Sequence, residues 1–150
     1  MRGVIQRVSQ ASVIIDKKKV ASINDGLLVL LGIEIQDTKE DARWLANKIS
    51  SLRIFSDKDG KMNRSVTEVN GEVIVVSQFT LHAKTKKGNR PSYIKASRPE
   101  HAIPLYEQFK KELSDVIGKE VQSGEFAADM KVSLTNDGPV TIIIDTKNKE

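Results

Sequence analysis

Two apolar runs, the first broken only by Gly32, constrain the fold of this 150-residue chain more than any other feature. Residues 27–33 read Leu-Leu-Val-Leu-Leu-Gly-Ile, and residues 73–76 read Val-Ile-Val-Val. A strand with one wet face alternates apolar and polar side chains. A strand that is apolar at every position has protein on both faces. The chain therefore has to build a sheet that is covered twice.

The remaining pattern supplies the cover. Residues 4–8 and 12–15 are rich in Val and Ile and read as two strands. Residues 16–19 read as a hairpin turn into a further strand over 20–23, and Asn24, Asp25 and Gly26 as another turn. Thr38 with Asp41 three positions later is a capping box. Ala42, Leu45, Ala46, Ile49 and Leu52 then share one helical stripe, with Trp44 off it as partly exposed packing. Residues 53–55 read as a short strand. Residues 57–60 read as a turn, since too few acidic ligands follow for a calcium loop. Asn70-Gly71 is a hairpin signal. Ser97 with Glu100 reads as a second capping box, with Pro99 in the first turn. Ala102, Leu105, Tyr106, Phe109, Leu113 and Ile117 form the second buried stripe, which Gly118 ends. Val132 and Leu134, then residues 140–144, read as two late strands joined through Asn136, Asp137, Gly138 and Pro139. Residues 147–150 read as a frayed tail. Two helices against more than one sheet layer give a compact α/β or α+β architecture.

Composition removes several functions. The length suits one domain over residues 1–150, and a domain of that size buries roughly 70% of its unfolded surface without a disulfide or metal. There is no cysteine, so a disulfide scaffold, a thiolate nucleophile and a Cys-based zinc site are excluded. The first residues are too short an apolar run for a signal peptide, and nothing approaches the ~18 residues of a membrane helix. The expected address is the cytoplasm, with no membrane partner. Net charge is +4, and its distribution matters more. Lys84, Lys86, Lys87, Arg90, Lys95 and Arg98 fall between residues 82 and 98 with no Asp or Glu among them. Such a segment either attracts a polyanion or is a solvated loop.

The usual hydrolytic groups are scarce. His82 and His101 are the two histidines; each reads as a surface residue or, less simply, as a general base. No His-Glu-x-x-His, Walker loop or Gly-x-Gly-x-x-Gly occurs, which disfavours a metal or nucleotide-cofactor enzyme. Two segments stand out. Ser77, Gln78, Phe79 and Thr80 follow a buried strand, and their polar groups either satisfy the strand end or face a ligand. Asp137-Gly138-Pro139 reads as a hairpin turn, yet Pro139 removes a ladder donor and allows a cis bond.

Together these segments resemble the D-aminoacyl-tRNA deacylases of the bacterial, D-tyrosyl-tRNA type. The likeness runs through Gln6-Arg7-Val8, Ala11-Ser12-Val13, residues 26–32, Arg53-Ile54-Phe55-Ser56-Asp57, Gly60-Lys61-Met62-Asn63 and residues 75–81. It continues through Gly88-Asn89-Arg90-Pro91-Ser92, Phe126-Ala127-Ala128-Asp129-Met130 and Asn136-Asp137-Gly138-Pro139-Val140-Thr141. Each landmark is weak alone, but they occur in order along the whole chain.

The resemblance implies that family's α/β fold: about seven or more strands in two layers, partly barrel-like, with two main helices. It implies hydrolysis of the ester joining a D-amino acid, or glycine mischarged on tRNA-Ala, to the 3′ end of tRNA. It implies a homodimer without a metal or organic cofactor, acting on aminoacyl-tRNA and not on DNA. The free 2′-hydroxyl of the terminal adenosine is implied to assist. Backbone N–H groups of Phe79 and Thr80 would hold the oxyanion, with Thr80 a positioning group rather than the nucleophile. Gly138-Pro139 is implied to be cis, to enter the partner subunit's site and to reject L side chains. Arg7 would hold that motif, Phe126 and Met130 would line the pocket, and Lys84, Lys86, Lys87 and Arg90 would contact phosphates. The rival expectations are a non-catalytic RNA-binding module, an esterase of small D-amino acid derivatives that needs no RNA, and a structural dimer with a degenerate site.

Overall fold

In the computed structural model, which describes residues 1–150, a single 14-residue strand organises the sheet. β1 (Arg2–Ile15) joins the two strands expected over 4–8 and 12–15. Asp16 and Lys17 both take positive φ, 48° and 64°, the handedness a two-residue hairpin turn needs. They lead into β2 (Lys18–Ile23), which pairs with the second half of β1. β3 (Gly26–Gly32) pairs antiparallel with its first half.

Helix α1 (Lys39–Ser51) follows, and the Thr38 N–H donates to Asp41 Oδ2 at 2.8 Å as the capping box requires. The strand expected over 53–55 is displaced to β4 (Phe55–Ser56), which pairs with β5 (Met62–Arg64). The Arg53 side chain instead reaches the Asn63 carbonyl. Asp57 Oδ1 accepts from the N–H groups of Asp59 and Lys61, which makes residues 57–61 a tight turn.

β6 (Glu72–Ser77) lies parallel to β3, in register from Gly26 opposite Glu72 to Leu31 opposite Ser77. Asn70 turns the chain with φ 55°, but no hairpin forms there. β5 and β6 do not pair, because β6 lies between β3 and β7, one on each edge. A 3-10 turn, Phe79–His82, and helix α2 (Pro99–Ile117) come next. Gly118 ends α2 with φ 73°. The N-cap of α2 is Arg98 and not Ser97, and it carries no side-chain cap bond. β7 (Gln122–Ser123) extends the sheet parallel to β6.

β8 (Lys131–Asp145) corrects the expectation of two strands around a turn. It is one strand that runs along the full length of β1. Asn136 pairs with Val8 and Thr141 with Gln6. Residues 137–140 therefore bulge out of an otherwise continuous ladder.

The sheet order β2-β1-β3-β6-β7 curls until its ends meet. Gln122 closes the gap by bonding the backbone of Ser22 in both directions, at 2.8 and 2.9 Å. This curl explains the two apolar runs. Leu27, Val29, Leu31, Val73 and Val75 face the core shared with both helices. Leu28, Ile74 and Val76 face a second core inside the curl, with Val8, Ala11, Val13, Ala21 and Ile23. Alternate side chains of one strand thus feed opposite cores. Tyr106, Phe109 and Leu113 of α2 are fully buried, each contributing on the order of 1.5–3 kcal/mol of burial.

Both termini are tied down. The Met1 ammonium is buried and donates to Asp37 and Thr146. At the other end Lys147 Nζ lies 2.8 Å from Asp41 Oδ2 and Lys149 Nζ sits over the Trp44 ring.

Candidate functional site

β6 delivers Ser77 to the rim of an open cleft of about 490 Å³. The next residue, Gln78, continues the parallel ladder by donating its N–H to the Leu31 carbonyl at 2.8 Å. The chain then tightens into the 3-10 turn. The N–H of Leu81 is taken by the Gln78 carbonyl, but those of Phe79 and Thr80 have no acceptor. The first N–H groups of any helical turn are left in this way. Here they sit beside a cleft that Ser77, Gln78, Phe79, Ala102, Phe126 and Met130 help to line. Thr80 does not line it; its Oγ1 accepts from Gln78 Nε2 at 2.6 Å.

Phe126 and Met130 arrive from the segment between β7 and β8. The Phe126 ring meets Tyr106 edge-on, with centroids 5.8 Å apart. Tyr106 in turn donates its hydroxyl to the Val75 carbonyl at 2.9 Å, which ties α2 and the Phe126 wall to the strand that carries Ser77. Burial pushes the Tyr106 phenol up to about 12, so it stays a donor at all ordinary pH. In the sequence Tyr106 reads only as core. Nothing in a helical stripe reveals that its hydroxyl reaches a strand 31 residues away.

His101 is exposed, as expected, and His82 departs from expectation. His82 is not a surface residue: it is 4% exposed, because the 3-10 turn folds it under the end of β3. Its Nε2 has no partner. His101 Nδ1 lies 2.7 Å from Ser97 Oγ at the cleft mouth. This contact replaces the expected Ser97 cap. No carboxylate lies within salt-bridge distance of either nitrogen of that ring, so the pair lacks the orienting acid of a triad.

Gly138 and Pro139 stand apart from this cleft within the chain. They form the exposed tip of the bulge in β8, and the peptide between them is cis. Asn136 staples the base of the bulge: its Oδ1 accepts from the Val140 N–H and its Nδ2 donates to Thr141 Oγ1, both at 2.9 Å. Arg7 lies underneath, its side chain 12% exposed. Its Nε donates to the Asp137 carbonyl at 2.9 Å and its Nη1 to the Ile54 carbonyl at 2.6 Å. Gly138 has φ +136°, and a Cβ there would meet Val140 Cγ2 at 2.9 Å and Arg7 Nη2 at 3.0 Å.

The basic segment forms an exposed loop whose neck is closed by Lys84 and Ser92, paired through both backbone bonds at 2.8 and 3.0 Å. Lys84, Lys86, Lys87 and Arg90 are exposed, and none makes an ion pair. No helix is long and apolar enough to cross a membrane.

The geometry defines an α/β domain with unused backbone donors at the edge of a mostly apolar cleft and a free basic loop nearby. The family model described as D-Tyr-tRNA(Tyr) deacylase matches residues 4–145, and the chain belongs to that family. It is 68% identical over 150 residues to a D-aminoacyl-tRNA deacylase of Flavobacterium psychrophilum, with all of both chains covered. A Bacteroides fragilis protein of the same name is 64% identical, again over the whole of both chains. Among solved structures, one titled c-Myc DNA Unwinding Element Binding Protein superposes with a TM-score of 0.92 at 38% identity, covering 97% of this chain and 99% of that one. A probable eukaryotic D-amino acid tRNA deacylase superposes with a TM-score of 0.82 at 17% identity, covering 95% and 97%, and shares the fold.

Proposed function

We propose that this chain hydrolyses the ester of D-aminoacyl-tRNA in the cytoplasm, and glycyl-tRNA mischarged on tRNA-Ala, releasing the amino acid and tRNA without a cofactor. The observation that carries this reading is the pair of unused N–H groups at Phe79 and Thr80 beside the cleft. Acyl transfer builds negative charge on the ester oxygen, and fixed donors aimed at that oxygen lower the barrier. The relatives' names support the substrate.

No base contacts Thr80, and its hydroxyl is engaged by Gln78. Thr80 is therefore read as a positioning group. The 2′-hydroxyl beside the ester assists the attack, because a vicinal group begins near the reacting carbon. The water oxygen bonds the acyl carbon as the bond from that carbon to the 3′ oxygen breaks; one water proton goes to the 3′ oxygen and the other to solvent, which leaves the amino acid with its carboxylate.

The chiral filter is assigned to Gly138 and Pro139. Their exposure and their distance from the chain's own cleft support a homodimer in which each bulge enters the partner's cleft. Backbone carbonyls there hold the substrate ammonium and leave no room for an L side chain. Glycine, without a side chain, escapes the filter. Arg7 holds the motif, Phe126 and Met130 form the pocket wall, and Lys84, Lys86, Lys87 and Arg90 take acceptor-stem phosphates.

The test is deacylation of D-tyrosyl-tRNA beside L-tyrosyl-tRNA with a metal chelator present. Loss of the D ester alone is expected. Loss of both keeps the esterase and removes the chiral role of Gly138 and Pro139. Binding without cleavage would replace the enzyme by an RNA-binding module. Equal turnover of a short D-tyrosyl ester would remove the need for RNA.

A further inference from the structure

We propose that Tyr93, packed against Phe79, is a stacking subsite for an unpaired nucleotide that precedes the ester-bearing nucleotide of the RNA 3′ end. The inference rests on the deacylase reading above and extends it to a part of the RNA that the cleft does not hold.

Phe79 and Tyr93 are distant in sequence and adjacent in space. Their centroids lie 5.1 Å apart at 75°, an edge-to-face contact. Both rings face solvent: Phe79 is 55% exposed, Tyr93 38%, and the next residue, Ile94, 71%. Apolar groups gathered on an open surface mark a binding site more often than scattered single ones do. The segment is also anchored. Ala96 N–H bonds the Tyr93 carbonyl at 2.9 Å, Ile35 N–H the Lys95 carbonyl at 3.3 Å, and Ser97 N–H the Ile33 carbonyl at 2.9 Å. A ring on an anchored segment loses little freedom when it binds.

Charge selects the occupant. Tyr93 directly follows Ser92, one side of the basic loop's neck. Lys84, Lys86, Lys87, Arg90 and Lys95 surround it in sequence, and none has a carboxylate partner. An aromatic face beside free cations is the arrangement that holds single-stranded nucleic acid: the cations follow the backbone and the ring takes a base. Phe79 links the two places, because it lines the cleft and also touches Tyr93. A strand whose last nucleotide enters the cleft passes Tyr93 on the way in.

The experiment compares wild type, Tyr93→Ala and Tyr93→Phe on two substrates, D-tyrosyl-tRNA and the 3′-D-tyrosyl ester of adenosine, and titrates uncharged tRNA onto each protein. Removal of one base stack predicts a KM for D-tyrosyl-tRNA and a Kd for uncharged tRNA about tenfold higher in Tyr93→Ala. The kcat at saturation and the KM for the adenosine ester stay unchanged, and Tyr93→Phe behaves as wild type. An unchanged Kd and KM in Tyr93→Ala overturns the proposal. An equal loss on both substrates also overturns it, because it assigns Tyr93 to supporting Phe79 alone. A wild-type protein that cleaves neither ester rejects the deacylase reading instead, and with it this extension.

Discussion

Arg7 and Asp137 are joined across 130 residues of sequence: the guanidinium Nε of Arg7 donates to the Asp137 carbonyl at 2.9 Å. The same side chain bonds the Ile54 carbonyl. One largely buried cation therefore fixes the base of the β8 bulge to the chain that follows α1. Arg7→Ala leaves both carbonyls without their charged donor. The expected loss is about 2–3 kcal/mol of stability, since a bond to a charged group contributes roughly 1.5–3 kcal/mol. Urea titration measures it. A change below about 0.5 kcal/mol, the size of an ordinary surface substitution, would mean the Arg7 bonds are incidental.

Gly138→Ala places a methyl group where φ is +136° and where Val140 and Arg7 already stand within about 3 Å. L residues rarely take that conformation. The fold should survive, because the bulge tip is exposed. Deacylation of D-tyrosyl-tRNA should fall by roughly 100-fold or more, the scale of a misplacement near 1 Å. Normal turnover with an unchanged melting temperature would detach Gly138 from the site.

On the proposed reading, in which the hydroxyl positions and does not attack, Thr80→Ala should keep its rate within about tenfold. Single-turnover deacylation reads this directly. Ser97→Ala serves as a control, since the Ser97–His101 pair has no orienting acid. Abolished chemistry in Thr80→Ala, with tRNA binding intact, would make Thr80 the nucleophile.

Affinity for tRNA should drop steeply with salt. Replacing Lys86 and Lys87 by Ala should reduce the slope of log K against log salt by roughly 0.7–0.9 for each phosphate that the loop no longer neutralises. Filter binding between low and physiological salt is sufficient. A slope identical to wild type would return the loop to the status of a solvated surface.

Acid should unfold the protein partly through Asp41. Burial pushes its carboxyl up, but hydrogen bonds from Lys147, Thr146 and Thr38 outweigh that and hold it well below the ordinary 3.8. A depressed folded-state value stabilises the fold above the unfolded value and is lost as pH falls through the folded one. Stability should therefore change little on this account from pH 7 to about 5 and decline below about pH 4. Asp41→Asn should flatten that decline. Urea midpoints measured from neutral pH to pH 2.5 give the answer, and parallel curves for the two proteins would contradict it.

Local pattern made much of this legible. An apolar residue at every position of 27–31 and 73–76 required two cores, and the curled sheet provides them on alternating sides. The stripe from Ala102 to Ile117 matches the buried residues of α2, because a helix buries what its period aligns. Thr38 caps α1 because cap and partner are three residues apart. Ser77 ends the buried strand β6 as the pattern required, and Phe79 and Thr80 open the 3-10 turn that follows it.

Elsewhere a local signal competed with a distant partner, and the partner won. Asn70-Gly71 makes its turn but no hairpin, since β6 pairs with β3 instead. Gly138-Pro139 is a bulge tip rather than a strand connection, because β1 is long enough to hold β8 on both sides of it. His82 is buried by a fold-back that no neighbouring residue signals, and Tyr93 meets Phe79 only because the basic loop returns to its own neck. Side-chain periodicity and turn chemistry are local, so the order of residues alone dictated which faces must be covered and where the backbone can turn. Which strand covers which face was settled by long-range pairing, whose register depends on residues far apart in the chain.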